Sequence, residues 1–261
     1  MTMHSTTRFS RTVEYYVRYR PAYPAALLDF FRSELQLKPD AIVADIGSGT
    51  GLLTELFLRN GNAVWGVEPN PEMRAAGAYL LRDYPHFTSI DGSAEATTLP
   101  DQSVDFIAAG TAFHWFDPAA TQHEWRRILR AGGQALLVWN YRHHERSAFM
   151  QAYEVFLLEY ATDYRQVKES YPGESLFDDF FGAGQWQKAL FENVQTFDFE
   201  GIKGRYLSCS YALPEDNARF PAAMDALRRI FERHQTAGQV AHWYHTVAYW
   251  GTPAVDNSPF D

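Results

Sequence analysis

Residues 41–53 read AIVADIGSGTGLL and contain the features that decide the fold. Small or β-branched apolar residues at 41–44 lead to Asp45, and an apolar, helix-forming stretch runs from Leu52 to about Arg59. Three glycines lie between them at alternate positions: Gly47, Gly49 and Gly51. Glycine is needed where φ is positive or where a ligand approaches the backbone closely, and the start of a helix presents unpaired N–H groups. The stretch therefore predicts a buried strand, a tight turn and a helix, with a cofactor site at the turn.

The spacing of this loop argues against two common cofactor classes. A triphosphate-binding loop has Lys and then Ser or Thr after its last glycine, whereas Leu52 and Leu53 follow Gly51. A dinucleotide-binding loop has its third glycine one position later, and a carboxylate at Asp45 would repel a pyrophosphate. The loop suits a ligand that has no phosphate and some positive charge, so an NAD-dependent dehydrogenase is disfavoured.

After the glycine loop, short apolar runs alternate with amphipathic stretches. The second strand is predicted at 63–67 and ends in Glu68, about twenty residues past the first glycine, where an open α/β sheet places an acid for ribose hydroxyls. Further strands are predicted at 87–90, 104–109 and 134–139, and helices at 52–59, 71–82 and 118–131, with a cap and turn at 131–133. This alternation predicts an α/β, doubly wound, mostly parallel sheet. Ligands of such sheets lie beyond the carboxyl ends of the strands, so residues 111–115 should face the cleft.

Three motifs resemble those of a known family. The pattern D-x-G-x-G-x-G, from Asp45 to Gly51, resembles motif I of the class I S-adenosyl-L-methionine (SAM) dependent methyltransferases. Tyr16, the run RPAYP from Arg20 and the run AFHWFD at 112–117 are similar to segments of the trans-aconitate methyltransferase-like group, classed with methyltransferase type 11. The resemblance covers roughly residues 9–141. It implies a Rossmann-like fold, SAM as cofactor and S-adenosyl-L-homocysteine as product.

The resemblance also implies a set of site residues. Tyr16 and Arg20 would reach the carboxylate end of SAM, and a segment around Ala94 would bind the adenine, with Ser93 where the family most often has Asp. An aromatic ring, Phe113 or Trp115, would lie against the cationic ligand. The predicted cofactor-binding residues are Tyr16, Arg20, Asp45, Gly47, Ser48, Gly49, Gly51, Glu68, Pro69, Ser93, Ala94, Glu95, Thr111 and Phe113. The catalytic candidate is His114, as a base or an acceptor-binding group.

Residues 140–261 have no motif that identifies an acceptor. Helices are predicted at 146–165, 174–190 and 215–238, and strands at 194–199 and 240–250. The resemblance makes these the sixth and seventh strands, an antiparallel pair that closes a seven-stranded sheet, with the helices as a lid. It divides the chain into an N-terminal arm (1–38), a SAM-binding core (39–141) and a lid with the last strands (142–261). The histidine pairs at 143/144 and 242/245 point apart, so no metal site is predicted.

Composition limits the partners and the compartment. The formal charge of −9 disfavours a nucleic-acid partner bound through its phosphates. Cys209, the single cysteine, excludes an intramolecular disulfide framework and fits a cytoplasmic protein without a signal peptide. No apolar run approaches the roughly 20 residues that span a bilayer. No oligomeric state is predicted.

The sequence thus predicts a SAM-dependent methyltransferase that acts on a small-molecule acceptor, with a small carboxylate as one candidate. Two alternatives from other classes stay open. One is a non-catalytic SAM- or S-adenosylhomocysteine-binding regulatory protein, because contacts to SAM alone would look the same in sequence. The other is an RNA methyltransferase, which the charge disfavours, as does Gly110-Thr111-Ala112-Phe113 where such an enzyme has an N/D-P-P-Y-type motif.

Overall fold

The computed structural model of the chain describes residues 13–169 and 173–254. It contains a seven-stranded sheet with the order β3-β2-β1-β4-β5-β7-β6. Its strands are β1 Ile42–Ile46, β2 Ala63–Val67, β3 Phe87–Ile90, β4 Val104–Gly110, β5 Leu129–Arg142, β6 Trp186–Phe197 and β7 Val240–Gly251. Strands β3, β2, β1, β4 and β5 pair in parallel, and the C-terminal strands are antiparallel. The predicted doubly wound, mostly parallel sheet is confirmed.

The described helices flank or follow these strands. They are α1 Val13–Tyr19, α2 Ala25–Ser33, α3 Leu52–Arg59, α4 Pro71–Leu80, α5 Pro118–Ile128, α6 Ala148–Tyr160, α7 Tyr164–Glu169, α8 Glu174–Phe181, α9 Phe199–Leu207 and α10 Phe220–His234, with a 3-10 turn at Phe113–Trp115. Among the residues that the structure describes, no helix has the length and apolar character to cross a membrane.

The chain forms two compact units. The sheet unit contains described residues 23–139, 173–191 and 247–254. Its core is built on β1, where Val43 pairs with Val64 on one side and Phe106 on the other. Because these strands are parallel, their carboxyl ends meet at one edge, and Asp45, Glu68 and Thr111 all lie there. The register therefore brings the predicted site residues of three strands to one place.

The helical unit contains described residues 13–22, 140–169 and 192–246. Its core lies between α6, α9 and α10, whose buried aromatic and aliphatic faces pack together. Phe156 on α6 and Tyr206 on α9 meet edge to face at 5.1 Å between ring centroids. Helix α1 packs on α9 so closely that the ring of Tyr19 fills the space that a Cβ at Gly204 would need.

Several predicted boundaries are wrong, and backbone geometry explains the largest errors. The helix predicted at 174–190 ends at Phe181, because Gly182 and Gly184 both take positive φ, and β6 begins at Trp186. The predicted turn at 131–133 lies inside β5 instead, where Gly132 has φ of 80° and the pairing with β4 shifts register. The helix predicted at 215–238 is shorter, spanning Phe220–His234. Helix α9, with its two glycines, was not predicted.

Candidate functional site

The glycine loop is tied to the neighbouring strand through its backbone. The N–H groups of Gly47 and Ser48 both donate to the carbonyl of Val67, at 2.8 and 3.1 Å. Gly47 has φ of 67°, and a Cβ there would lie 2.8 Å from Cβ of Ala112. Gly51 has φ of 89°, and a Cβ would come within 2.5 Å of Leu81. Both glycines are thus required by backbone conformation and by close packing.

Glu68 lies against this loop. Its Oε2 accepts a hydrogen bond from the Gly49 N–H at 2.9 Å, and its Oε1 accepts one from the Asn70 N–H at 2.8 Å. The side chain is buried. Burial raises the pKa of Glu68, and the two N–H donors and the charge of Arg74 act in the opposite direction. The carboxylate is therefore held in a fixed orientation at the glycine loop.

Two residues that sequence reasoning did not assign to the site hold Glu68 in place. Asn70 caps α4, its side-chain oxygen accepting from two backbone N–H groups at 3.0 Å. The guanidinium of Arg74 donates to the carbonyl of Glu68 at 2.8 Å and to Asp91 at 3.0 Å. The Asn-Pro pair marked the helix start in the sequence, but no local pattern shows that Arg74 reaches back to two strand ends.

Asp45 is fully buried beneath the loop. Its Oδ2 accepts a hydrogen bond from the Thr54 hydroxyl at 2.6 Å, and its Oδ1 has no hydrogen-bond partner within the described part of the chain. Burial raises the pKa of Asp45 to about 7, and the nearby charge of Glu68 adds to the rise. A positive ligand group nearby would favour its ionised form.

The segment predicted to bind adenine is a turn fastened to the start of α5. The Ser93 N–H donates to the carbonyl of Ala96 at 3.1 Å, and Ala94 is buried. The carboxylate of Glu95 accepts from the Asp117 N–H at 2.9 Å. The segment follows β3, and so lies after the strand that is next to β2 in the sheet.

The segment after β4 combines strain with aromatic packing. Thr111 has φ of 53°, uncommon for a β-branched residue. The ring of Phe113 is buried against Phe180, with 4.7 Å between centroids, whereas Trp115 is partly exposed. His114 is half-buried, with its ring 4.8 Å from that of Trp115. Of the two predicted aromatic walls, Phe113 thus packs in the core and Trp115 is the more exposed ring.

The remaining predicted residues stay predictions. Pro69 is exposed directly after Glu68. Arg20 belongs to the helical unit, where its guanidinium donates to the carbonyl of Ser208 at 3.0 Å. Tyr16 is part of α1, but its side chain lies outside what the structure describes. No group of three or more metal-ligating side chains is found in residues 13–169 and 173–254.

The hydrogen-bond acceptors at the strand ends are chemically selective. The site offers two buried acids, Asp45 and Glu68, together with a loop whose glycines leave no room for side chains. Carboxylates accept hydrogen bonds from hydroxyls and attract cations, and they repel phosphate. The residues present therefore fit SAM, which combines ribose hydroxyls with a sulfonium and an ammonium group.

Comparison with known proteins gives a consistent result. Residues 44–137 match the family model of a methyltransferase domain. An uncharacterized methyltransferase of Mycobacterium tuberculosis is 40% identical over 136 residues, which cover 51% of this chain and 52% of that protein, so the match spans about half of the relative's length. An uncharacterized methyltransferase of Geobacillus kaustophilus is 30% identical over 150 residues, covering 56% of this chain and 67% of the relative.

Solved structures agree on the fold. A protein of Anaeromyxobacter dehalogenans has a TM-score of 0.62 at 19% identity, covering 90% of this chain and 98% of that one. A SAM-dependent methyltransferase of Geobacter sulfurreducens, solved with S-adenosyl-L-homocysteine, has a TM-score of 0.52 at 16% identity, covering 95% and 98%. With this fold and these relatives, the chain belongs to the class I SAM-dependent methyltransferase family.

Proposed function

We propose that this protein transfers a methyl group from SAM to a small-molecule acceptor, with a small carboxylate as one candidate. The observation that carries the proposal is the buried carboxylate of Glu68, held 2.9 Å from the N–H of Gly49. An acid at the end of β2 and beside the glycine loop is suited to accept hydrogen bonds from two ribose hydroxyls. The family relationship supports the same cofactor.

The remaining site residues would bind and orient the cofactor. We assign Asp45 to the positively charged end of the ligand, Ser93 and Ala94 to the adenine, and Tyr16 and Arg20 to its carboxylate, since an arginine can hold a carboxylate by two parallel bonds. When bound, SAM supplies a methyl carbon whose bond to sulfur breaks as the acceptor's lone pair bonds to that carbon. The task of the protein is then to align the acceptor and exclude water.

The need for a base depends on the acceptor. A carboxylate attacks without losing a proton, whereas a hydroxyl or an amine needs a group that takes one. His114, half-buried and three residues after the strained Thr111, is the candidate for that role. We assign recognition of the acceptor to residues 142–261, which carry no motif of the cofactor site.

Calorimetry with Glu68→Gln tests the cofactor site. We expect the wild-type protein to bind SAM and S-adenosylhomocysteine but not NAD. The substitution should weaken SAM binding by roughly 1–3 kcal/mol, because hydrogen bonds to a charged acceptor are lost. Glu72→Gln, an exposed acid on the first turn of α4, is the matched control and should bind SAM normally. Unchanged SAM affinity in Glu68→Gln would refute the assigned role.

The stability and the methyl-transfer activity of each variant must be measured together with its affinity for SAM. Glutamine places an amide N–H₂ near one of the two N–H donors of Gly49 and Asn70, so thermal unfolding of each variant separates lost binding from lost folding. A methyl-transfer screen with small acids, phenols and amines then tests catalysis. Tight SAM binding without transfer to any acceptor would contradict the proposed activity and favour a non-catalytic role.

A further inference from the structure

Strand β6, Trp186–Phe197, lies at an edge of the sheet. Its one neighbour among the described strands is β7. Its 12 residues include neither proline nor glycine. An edge strand presents N–H and C=O groups that can pair with another strand, and natural proteins usually keep such edges short or interrupt them. The outer side of β6 is therefore long and regular enough to accept a further strand.

The two faces of β6 differ in what covers them. On one face, the ring of Phe191 packs edge to face against that of Phe30, with 5.4 Å between centroids. On the other face, the residues Leu190 and Val194 are 58% and 44% exposed. Removing apolar surface from water is favourable, so the second face has a reason to be covered.

The charged residues of β6 lie on the same face as Leu190. Lys188 Nζ lies 2.6 Å from a carboxylate oxygen of Glu174, and a carboxylate oxygen of Glu192 lies 3.4 Å from the guanidinium of Arg146. A single exposed ion pair contributes little to stability, whereas a network of several charges contributes more. Lys188 and Glu192 stand two residues before and two residues after Leu190. The strand is thus complementary in charge to a copy of itself that runs in the opposite direction.

We propose that the protein forms a two-fold symmetric dimer in which β6 pairs antiparallel with β6 of a second copy, centred on Leu190. In this register Lys188 lies opposite Glu192 of the partner copy, and Trp186 lies opposite Val194 of the partner copy. Opposite charges that face each other across an antiparallel pair are stabilising, and the two-fold axis makes each contact twice. The ion pairs within each copy then join into longer rows of alternating charge, and the exposed side chain of Leu190 is covered at the axis.

Other registers that keep this face of the two strands together give no such match. An axis at Lys188 or at Glu192 places like charges opposite each other, which is destabilising. An axis at position 189 or 191 places both charged residues opposite apolar ones. The other face of β6, at positions 187, 189, 191, 193 and 195, carries no charge. The charges of one face therefore select the axis at Leu190.

Sedimentation equilibrium of the full chain tests the charge pairing. We expect the wild type to dimerise, and either Lys188→Glu or Glu192→Lys to weaken dimerisation about tenfold or more, because like charges then face each other twice. A mixture of these two variants should dimerise as the wild type does, since every pairing across a mixed dimer is again of opposite charge. Lys38→Glu and Glu34→Lys, at exposed positions outside β6, are the matched controls and should leave dimerisation unchanged. A monomeric wild type, or charge variants that associate like the wild type, would overturn the proposal.

Cross-linking tests the register. Leu190→Cys places two cysteines opposite each other at the axis, where the Cβ atoms of facing residues lie about 4.5–5.5 Å apart, close enough for a disulfide after a small adjustment. Oxidation should therefore give a covalent dimer. Val194→Cys, also exposed on this face, should give none, because the two copies of position 194 are about 27 Å apart in this register. The native Cys209 is buried, so the oxidised wild type should stay without a cross-link.

Equal cross-linking of Leu190→Cys and Val194→Cys, or no covalent dimer of Leu190→Cys, would contradict the register. Thermal unfolding of each variant shows whether a loss of association comes from a loss of folding. None of these measurements involves SAM, so the dimer and the proposed methyl transfer are tested separately.

Discussion

At the scale of single residues, burial determines the chemistry of the acids beneath the glycine loop. Asp45 is fully buried, and this raises its pKa to about 7 from an ordinary value of 3.8. The folded state therefore holds a proton that the unfolded state releases between these two values. Stability falls with rising pH wherever the folded state binds more protons. Asp45 should thus lower the free energy of unfolding progressively from about pH 4 to about pH 7.

Asp45→Asn tests this effect directly. Asparagine keeps an oxygen for the Thr54 hydroxyl but does not titrate. Urea unfolding without ligand over a pH series measures the free energy of unfolding. That of the variant should increase relative to that of the wild type as pH rises through this window, and the difference should reach about 1–3 kcal/mol above pH 7. Asp29→Asn, at an exposed acid on α2, is the control. Parallel stability curves for Asp45→Asn and the wild type would show that the acid is not perturbed.

Glu68 differs from Asp45 although both are buried acids. Two backbone N–H groups and the charge of Arg74 oppose the effect of burial at Glu68, whereas Asp45 Oδ1 lacks a partner among the described residues. Burial raises the pKa of both acids, but both oxygens of Glu68 are hydrogen-bonded to the backbone, whereas Asp45 is bound only by Thr54. The sequence predicts both acids as site residues but does not show that their surroundings differ.

At the scale of elements, helix α4 approaches the glycine loop closely. Gly77 is buried on the face of α4 that meets the loop, and a Cβ there would lie 2.9 Å from the carbonyl oxygen of Gly49. A backbone oxygen cannot move away as a flexible side chain can. The loop conformation and the position of the helix therefore depend on each other.

Gly77→Ala should reverse the usual effect of this substitution. Alanine in a helix interior normally gains about 1 kcal/mol over glycine. Here the clash with the loop should make the protein less stable, by about 1–3 kcal/mol, and weaken SAM binding. Ala75→Gly, at an exposed position of α4, should cost only about 1 kcal/mol and leave SAM affinity unchanged. Denaturant unfolding and calorimetry measure both. A stabilised Gly77→Ala protein would contradict the close approach.

Elements with strong local signals were predicted well. Helix α3 and strands β2 and β3 have the expected bounds, because turn residues and short apolar runs define them locally. Strand β6 was assigned partly to a helix, since its apolar residues also fit a helical period. Helix α9 contains Gly201 and Gly204 and was missed, because the packing of Tyr19 at Gly204 is a long-range contact that overrides helix propensity.

At the scale of the whole molecule, segments of the two units alternate along the chain. Each unit is assembled from three separate segments, and the chain passes from one unit to the other five times. In the sheet unit, Phe180 packs against Phe113 and Trp125, and Trp250 packs against Phe30, so residues far apart in sequence complete its core. A continuous piece of the chain cannot contain a complete unit.

Fragment 23–139 should therefore fail to form a packed core. Without residues 173–191 and 247–254 it exposes aromatic rings that are buried in the full chain, Phe113 and Trp125 among them. We expect helical signal in the far-ultraviolet, a weak near-ultraviolet spectrum and strong binding of a hydrophobic dye. The full chain is the control, and it should give a strong near-ultraviolet spectrum and bind little of the dye. Cooperative thermal unfolding of the fragment would show that the later segments are dispensable.

The sequence by itself determined the alternation of strands and helices over residues 41–139, the glycine turn and the family, because positive φ, short apolar runs and motif spacing are local properties of the chain. It also named Asp45 and Glu68 as the acids of the site. Only the tertiary structure decided which atoms they meet: Gly49 and Asn70 for Glu68, and Thr54 for Asp45. The burial of Arg205 was equally invisible, since it arises from contacts with residues distant in sequence such as Tyr244, and burial sets the cost of each charge.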